Sequence, residues 1–252
     1  MGVVTDVIEY SRPATLEDAL ACLARPGAVL IGGGTKVNAA RHSEAVAVVD
    51  LQALPIGGIA AERDGLVIGA TARLQDLAGA AGAPAAVAEA ARLEAPSTLR
   101  NMATVGGCVA TADPDSELLA ALLVHEAEVR LVGPDGPQVI GLAGLLAGLL
   151  ADRRALAGKI IVAVRVQAGG VAAAARTGRT AADRPIVAAV ARRTDDGRRL
   201  LALTGVAATP VLVPPTAADV SELDPPGDFR GSGEYRRALA AVLAKRALEE
   251  VG

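Results

Sequence analysis

Two stretches without bulky side chains constrain this chain more than any other feature of it. The first, Gly32-Gly33-Gly34-Thr35, follows directly on a short apolar run that ends at Leu30-Ile31. The second runs from Thr104 to Glu117 (Thr-Val-Gly-Gly-Cys-Val-Ala-Thr-Ala-Asp-Pro-Asp-Ser-Glu) and feeds the apolar run Leu118 to Val124. Backbone that lacks Cβ atoms can lie close to a ligand, and successive amides in such a turn present donors to an anion. Both stretches read as loops, the second leading into a helix whose N-terminal amides add positive potential. An ordinary tight turn explains the first stretch taken alone equally well. The second loop favours phosphate contact, and we expect the two to form opposite jaws of one site for a phosphate-bearing cofactor.

At 252 residues the chain is long enough for one large domain or two moderate ones with real cores. Apolar residues make up 52% and aromatics only 1%, so Ala, Val, Leu and Ile must fill the interior. The formal charge of -3, without any Lys/Arg cluster interleaved with aromatics, argues against nucleic acid as a partner. Ile140 to Ala151 is the longest strongly apolar stretch; it is too short to span a bilayer and is broken by glycine. With no basic-then-apolar N-terminal pattern, the chain is expected to be soluble and cytoplasmic. Cys22 and Cys108 have no CxxC spacing, so any metal centre is expected in a partner.

Taken in order, Val7 to Tyr10 reads as a strand. Thr15 caps a helix to about Ala24, and Ala28 to Ile31 is a strand ending at the triple glycine. One turn from Lys36 to Arg41 and a buried strand from Ala45 to Leu51 follow. Gly58 to Ala61 with Leu66 to Ala70 suit a hairpin, after which Thr71 caps a further helix. Pro84 opens the next helix, Ala85 to Leu93. A helix ends near His125, then come a hairpin (Glu128 to Val132, Gln138 to Gly141), a leucine-rich helix to about Leu150 and a strand from Lys159 to Val166. Residues 168–182 are small, basic and weakly periodic, and read as a linker. Beyond them lie a hairpin (Pro185 to Arg193, Arg198 to Thr204), a strand Val206 to Val213 and a final helix Gly233 to Glu250. That helix is expected to bury Leu239, Val242, Leu243 and Leu248.

Ile31-Gly-Gly-Gly-Thr35, Arg100-Asn101 with Thr104-Val-Gly-Gly107, and Asp113-Pro-Asp-Ser116 together resemble the FAD-binding subunit of the molybdenum hydroxylases, the xanthine dehydrogenase and carbon monoxide dehydrogenase family. Gly205 to Pro210, Gly233 to Arg237 and Ala244 to Leu248 resemble the end of that subunit. The resemblance implies an α+β fold. A PCMH-type FAD-binding domain (1–167, subdomains about 1–55 and 56–167) is followed by the linker and a small α+β C-terminal domain (183–252). It places the FAD pyrophosphate on Ile31, Gly32, Gly33, Gly34 and Thr35, with Lys36 nearby. Thr104, Gly106, Gly107, Cys108, Thr111, Ser116 and Glu117 match cofactor-contacting positions of the second stretch, and Ile161 an apolar position near one end of the cofactor. Three departures stand out: Cys108 replaces the usual asparagine, Glu117 the usual aspartate, and the segment between Val213 and Phe229 is shorter than its counterparts. The partners implied are a molybdopterin-binding large subunit and a [2Fe-2S] small subunit, with NAD+, a quinone or oxygen as electron acceptor.

No catalytic constellation competes with this reading. His42 and His125 are isolated, Cys108 is read as a small buried residue, and Asp113, Asp115 and Glu117 are explained by helix capping as well as by a metal. The leading expectation is an electron-transfer flavoprotein subunit with no acid, base or nucleophile of its own. The alternatives are a scaffold relative that has lost tight FAD binding and a stand-alone flavin-dependent reductase. In either flavin reading few aromatics remain for the ring, which would meet aliphatic surface or Arg176 and Arg184.

Overall fold

A computed structural model describes residues 7–37, 46–180, 183–216, 220 and 222–252. Its first sheet is small and parallel. The strands β1 (Val7–Ser11), β2 (Ala28–Ile31) and β3 (Val46–Asp50) lie in the order β1-β3-β2. The run Val-Ala-Val-Val-Asp makes β3 the central strand, buried along its whole length. Helix α1 (Leu16–Leu23) connects β1 to β2; Thr15 caps it by accepting the Asp18 amide at 3.1 Å, and Ala19 is fully buried. Tyr10 donates to Asp50 at 2.5 Å, tying the outer strand to the centre. Beyond β2 the chain leaves the sheet directly into Gly32. Lys36 lies in a turn; most of the helical turn expected from Lys36 to Arg41 lies outside the described residues.

The second sheet is antiparallel, with strand order β4-β5-β8-β6-β7. Hairpin β4 (Ile59–Glu62) and β5 (Gly65–Gly69) is followed by helices α2 (Leu74–Ala78), α3 (Ala85–Leu93), α4 (Ser97–Arg100), α5 (Val105–Thr111) and α6 (Glu117–Val124). Then come hairpin β6 (Glu128–Gly133) and β7 (Gly136–Gly141), helix α7 (Leu142–Ala151) and strand β8 (Ile160–Gln167). Thr71 does not cap α2: the chain turns at Ala70–Thr71 and is extended at Arg73, which pairs across to Thr104, so the helix starts at Leu74 without a side-chain cap. Pro84 is the cap residue of α3 rather than its first helical one.

The third sheet, β12-β11-β10-β9, is antiparallel and contains β9 (Val171–Thr177), β10 (Val187–Arg193), β11 (Arg199–Thr204) and β12 (Val211–Val213). Residues 168–182 are therefore not merely a linker. β9 pairs with β10 in a continuous register from Val171↔Arg193 to Thr177↔Val187. Its alanines carry no β-branched signature, and strand-forming is imposed by the neighbour. The strand expected over Val206 to Val213 shrinks to three residues. Helix α8 (Gly233–Val251) covers this sheet with Ala240, Leu243, Ala244, Ala247 and Val251, while Val242 is half exposed and Leu239 and Leu248 are only partly buried. Three small alanines in this stripe let the helix approach the sheet closely.

Helix α6 joins the second and third sheets. Leu118 to Val124 are buried on every side, against α3 and α5 on one flank and β10 and β11 on the other. A helix apolar all round belongs inside a molecule, and this one fixes how the third sheet sits on the rest. Among the described residues no helix is long and apolar enough to cross a membrane.

Candidate functional site

The glycine turn after β2 lies directly against the segment that precedes α5. A Cβ on Gly32 would stand 2.6 Å from Thr104 Oγ1, and one on Gly33 would run into the Met102 carbonyl. Only glycine permits that approach. Beside the contact opens a cavity of about 960 Å³, at the upper end of the range for ligand sites. One wall is Gly32 to Val37. The opposite wall is Ala103, Thr104, Gly107, Cys108, Ala110 and Thr111, with Leu74, Leu93, Glu94, Pro96 and Leu99 along the α3–α4 side and Asp183 and Arg184 from the third sheet's approach.

The second small-residue stretch is a helix over much of its length, not a loop. Thr104 has extended backbone, accepts the Gly107 amide at 3.2 Å and starts α5 at Val105. The two glycines sit inside the first turn, where Val105 and Val109 bury the helix against the core. Tertiary packing overrides their helix-breaking tendency. Gly106 points inward: a Cβ there would meet Ala70 Cβ at 2.8 Å and its carbonyl at 2.9 Å. Gly107 faces the cavity.

Of the residues singled out in the sequence, the cavity gathers Gly32, Gly33, Gly34, Thr35, Lys36, Thr104, Gly107, Cys108 and Thr111. Ile31, Gly106, Ser116, Glu117 and Ile161 do not line it. Ile31 ends β2 in register with Asp50, and Ile161 is in β8, buried in the main core. Ser116 caps α6, accepting the Leu119 amide at 3.1 Å. Glu117 is buried, with Arg176 3.0 Å away. Burial raises its carboxyl above the usual range, against the pull of Arg176. Its carboxylate faces Arg176 on β9 and not the cavity.

Charge in the site is organised around Asp113, in the loop between α5 and α6. Its Oδ2 accepts from Lys36 Nζ at 2.9 Å and from Arg184 Nη1 at 2.8 Å, joining three distant segments. Burial alone would raise this carboxyl, but the hydrogen bond and charge of Arg184, with Lys36, hold it down at about 2. Glu94 is the group that the sequence did not flag. It is 94% buried at its side chain, accepts Ser116 Oγ at 2.9 Å and the Leu118 amide at 3.3 Å through Oε2, and has Arg184 Nη2 3.6 Å from Oε1. Burial pushes its carboxyl up to about 7, against Arg184 and those two hydrogen bonds. Its only sequence signal is a lone acid at the end of an alanine-rich helix, two residues before Pro96. Arg100 fixes that corner by donating to the Arg92 and Ala95 carbonyls at 2.8 and 3.1 Å. Burial likewise pushes the Cys108 thiol well up, so it is a neutral wall atom.

A cavity with a glycine wall on one side and a helix start on the other is a setting for a phosphate-bearing ligand. Comparison with known proteins identifies which one. The family described as "FAD binding domain in molybdopterin dehydrogenase" matches residues 6–166. The chain belongs to that family. Among its relatives, the carbon monoxide dehydrogenase medium chain of Hydrogenophaga pseudoflava is 29% identical over 281 residues, covering 95% of each chain. The Escherichia coli K12 protein YgfM, itself described as uncharacterized, is 30% identical over 249 residues, with 93% of each covered. A solved structure of the Hydrogenophaga carbon monoxide dehydrogenase lacking the Mo-pyranopterin moiety superimposes with a TM-score of 0.86 at 26% identity over 98% of each chain. The α+β fold and the oxidoreductase family are thereby shown, and the cofactor of this FAD-binding family is FAD.

The residues present fit that cofactor. Among the described residues the amides of Gly33, Gly34, Thr35 and Lys36 donate to no protein acceptor, which leaves four donors beside the cavity for a diphosphate. Lys36 and Arg184 add positive charge, and Gly107 keeps the facing helix wall flat. No Phe, Tyr, Trp or His lines the cavity among the described residues, so aliphatic surface from Leu74, Leu93 and Leu99 and the planar guanidinium of Arg184 face the interior.

Proposed function

We propose that this chain is the flavin-carrying, electron-transfer subunit of a heteromeric molybdenum hydroxylase. The observation that carries the proposal is the large cavity onto which both small-residue segments open, with backbone donors unused among the described residues along one side of it. On this reading Gly32 to Lys36 bind the diphosphate, and Thr104, Gly107, Cys108 and Thr111 form the facing wall. Ile31, Gly106, Ser116, Glu117 and Ile161 act from behind, by holding those walls in place. Residues 1–167 form the cofactor-binding domain and the remainder a domain that contributes Arg184 to the site.

When bound, FAD supplies the one- and two-electron redox chemistry. The chain's own residues bind and orient it and exclude water; none is assigned an acid, base or nucleophilic role. Relatives described as a medium chain support an assembly of several subunits; on this reading the partners are a molybdopterin-binding large subunit and a [2Fe-2S] small subunit, and electrons leave to NAD+, a quinone or oxygen. On this reading the assembly works in the cytoplasm.

The test is purification of the chain from its native host. A yellow protein with one FAD per chain, eluting with subunits that carry molybdopterin and iron-sulfur clusters, is expected. A colourless chain that takes up no added FAD contradicts the proposal and favours the scaffold alternative. A yellow chain without partners that reduces a substrate alone favours the stand-alone reductase.

A further inference from the structure

Glu94 is a buried carboxyl group at the wall of the cavity, and half of it has no hydrogen-bond partner. Oε2 is occupied by Ser116 Oγ and the Leu118 amide, whereas Oε1 makes no hydrogen bond among the described residues; its nearest ionic neighbour is Arg184 at 3.6 Å. We propose that Glu94 governs cofactor loading as a proton-dependent binding residue, the site taking up its anionic dinucleotide with a proton on this carboxyl. The inference rests on the reading of the cavity as an FAD site.

The argument is one of charge at close quarters. Facing Glu94 are Arg184 before β10, Asp113 in the α5–α6 loop, Lys36 in the glycine turn and Cys108 on α5. Farther round, Arg92 pairs with Glu89 on α3, Arg100 is spent on carbonyls and Gln75, Asp183 is near Arg179, Asp115 is paired with Arg230, and Glu117 with Arg176. The inner group thus holds two cations, Lys36 and Arg184, against Asp113, which stays ionised. With Glu94 neutral that group carries one net positive charge; with Glu94 ionised it carries none. The side chain is only 6% exposed, so the lost charge is screened less than it would be at the open surface. An incoming diphosphate therefore disfavours the ionised form further, and binding and protonation reinforce each other. The proton sits where burial already favours it near neutral pH.

FAD binding to the full chain, followed by flavin fluorescence between pH 6 and 8.5, tests this. In the wild type Kd is expected to rise with pH above neutrality, approaching about tenfold per pH unit for one linked proton. Glu94→Gln keeps the Ser116 and Leu118 hydrogen bonds and should give a flat profile near the low-pH affinity. Calorimetry of the wild type at pH 8 in two buffers of different ionisation enthalpy should find close to one proton taken up per FAD. This second measurement stands even if the variant does not fold. A flat wild-type profile with no proton uptake, or an equal slope in Glu94→Gln, overturns the role of Glu94 while leaving the cavity as an FAD site. Absence of FAD binding at every pH overturns both.

Discussion

Lys36 Nζ lies 2.9 Å from Asp113 Oδ2, a bond between residues 77 positions apart in the chain. It ties the glycine turn of the first sheet to the loop between α5 and α6. Arg184 donates to the same oxygen at 2.8 Å, so one carboxylate organises contributions from all three sheets around the cavity.

Asp113→Asn should therefore loosen the site and cost about 1–3 kcal/mol of stability at neutral pH, the usual cost of weakening buried charge-assisted hydrogen bonds. The sign with pH follows from the depressed carboxyl: its contribution is complete above the ordinary carboxylate range and is lost as pH falls through about 2. Denaturant unfolding at several pH values should find the gap between wild type and variant closing from pH 4 downward.

The adjacent glycines of α5 should separate packing from binding. Gly106→Ala forces a methyl group against Ala70 in the core and is expected to cost about 1–3 kcal/mol. In Gly107→Ala the new Cβ meets only Thr104 Oγ1, at 3.0 Å, and otherwise projects towards the cavity. Thermal unfolding should penalise the first far more than the second. Weaker FAD binding with a nearly unchanged unfolding midpoint is expected only of Gly107→Ala.

His125 makes the protein sensitive to mild acid. Burial pushes its imidazole down to about 4, while the hydrogen bond between Nδ1 and the Gln167 carbonyl, 2.8 Å long, holds the ring in place. The unfolded chain binds a proton near pH 6.5 that the folded chain refuses until about 4, so stability should fall as pH drops through that window, by up to about 3 kcal/mol. Urea titrations of wild type and His125→Gln should converge as pH is lowered from 7 to 4 if the variant starts the less stable.

Arg236 is a buried cation on α8 that donates to the Ile186 and Gly205 carbonyls at 2.8 and 2.9 Å and pairs with Asp228 at 2.7 Å. Arg236→Ala strands those carbonyls and is expected to cost about 3–5 kcal/mol. Arg236→Lys should recover only part of this, since one ammonium cannot reproduce the fork. Hydrogen exchange should place the loss in β10, β11 and α8.

Much of this architecture was legible because local and tertiary preferences agree. Ala28–Ile31 ends as a strand where the triple glycine begins, and Thr15 caps α1 through the Asp18 amide as its sequence position implies. The failures are places where distant packing decides. Gly106 and Gly107 read as loop residues, but Ala70 and the buried valines hold them in a helix. β9 is alanine-rich and is a strand because β10 is beside it. Arg236 was not singled out, since nothing local marks an arginine near a helix start as buried; two carbonyls and Asp228 draw it inside. Within the site the glycines were visible from composition alone. Glu94 was not, because nothing local separates a buried acid at a helix end from a solvated one.

The most direct test is a structure of the chain solved with FAD. The account predicts the diphosphate against the amides of Gly33 to Lys36, with Gly107 on the opposite wall and Arg184 within reach of the same ligand. FAD bound elsewhere, or bound here with its diphosphate remote from the glycine turn, would contradict it.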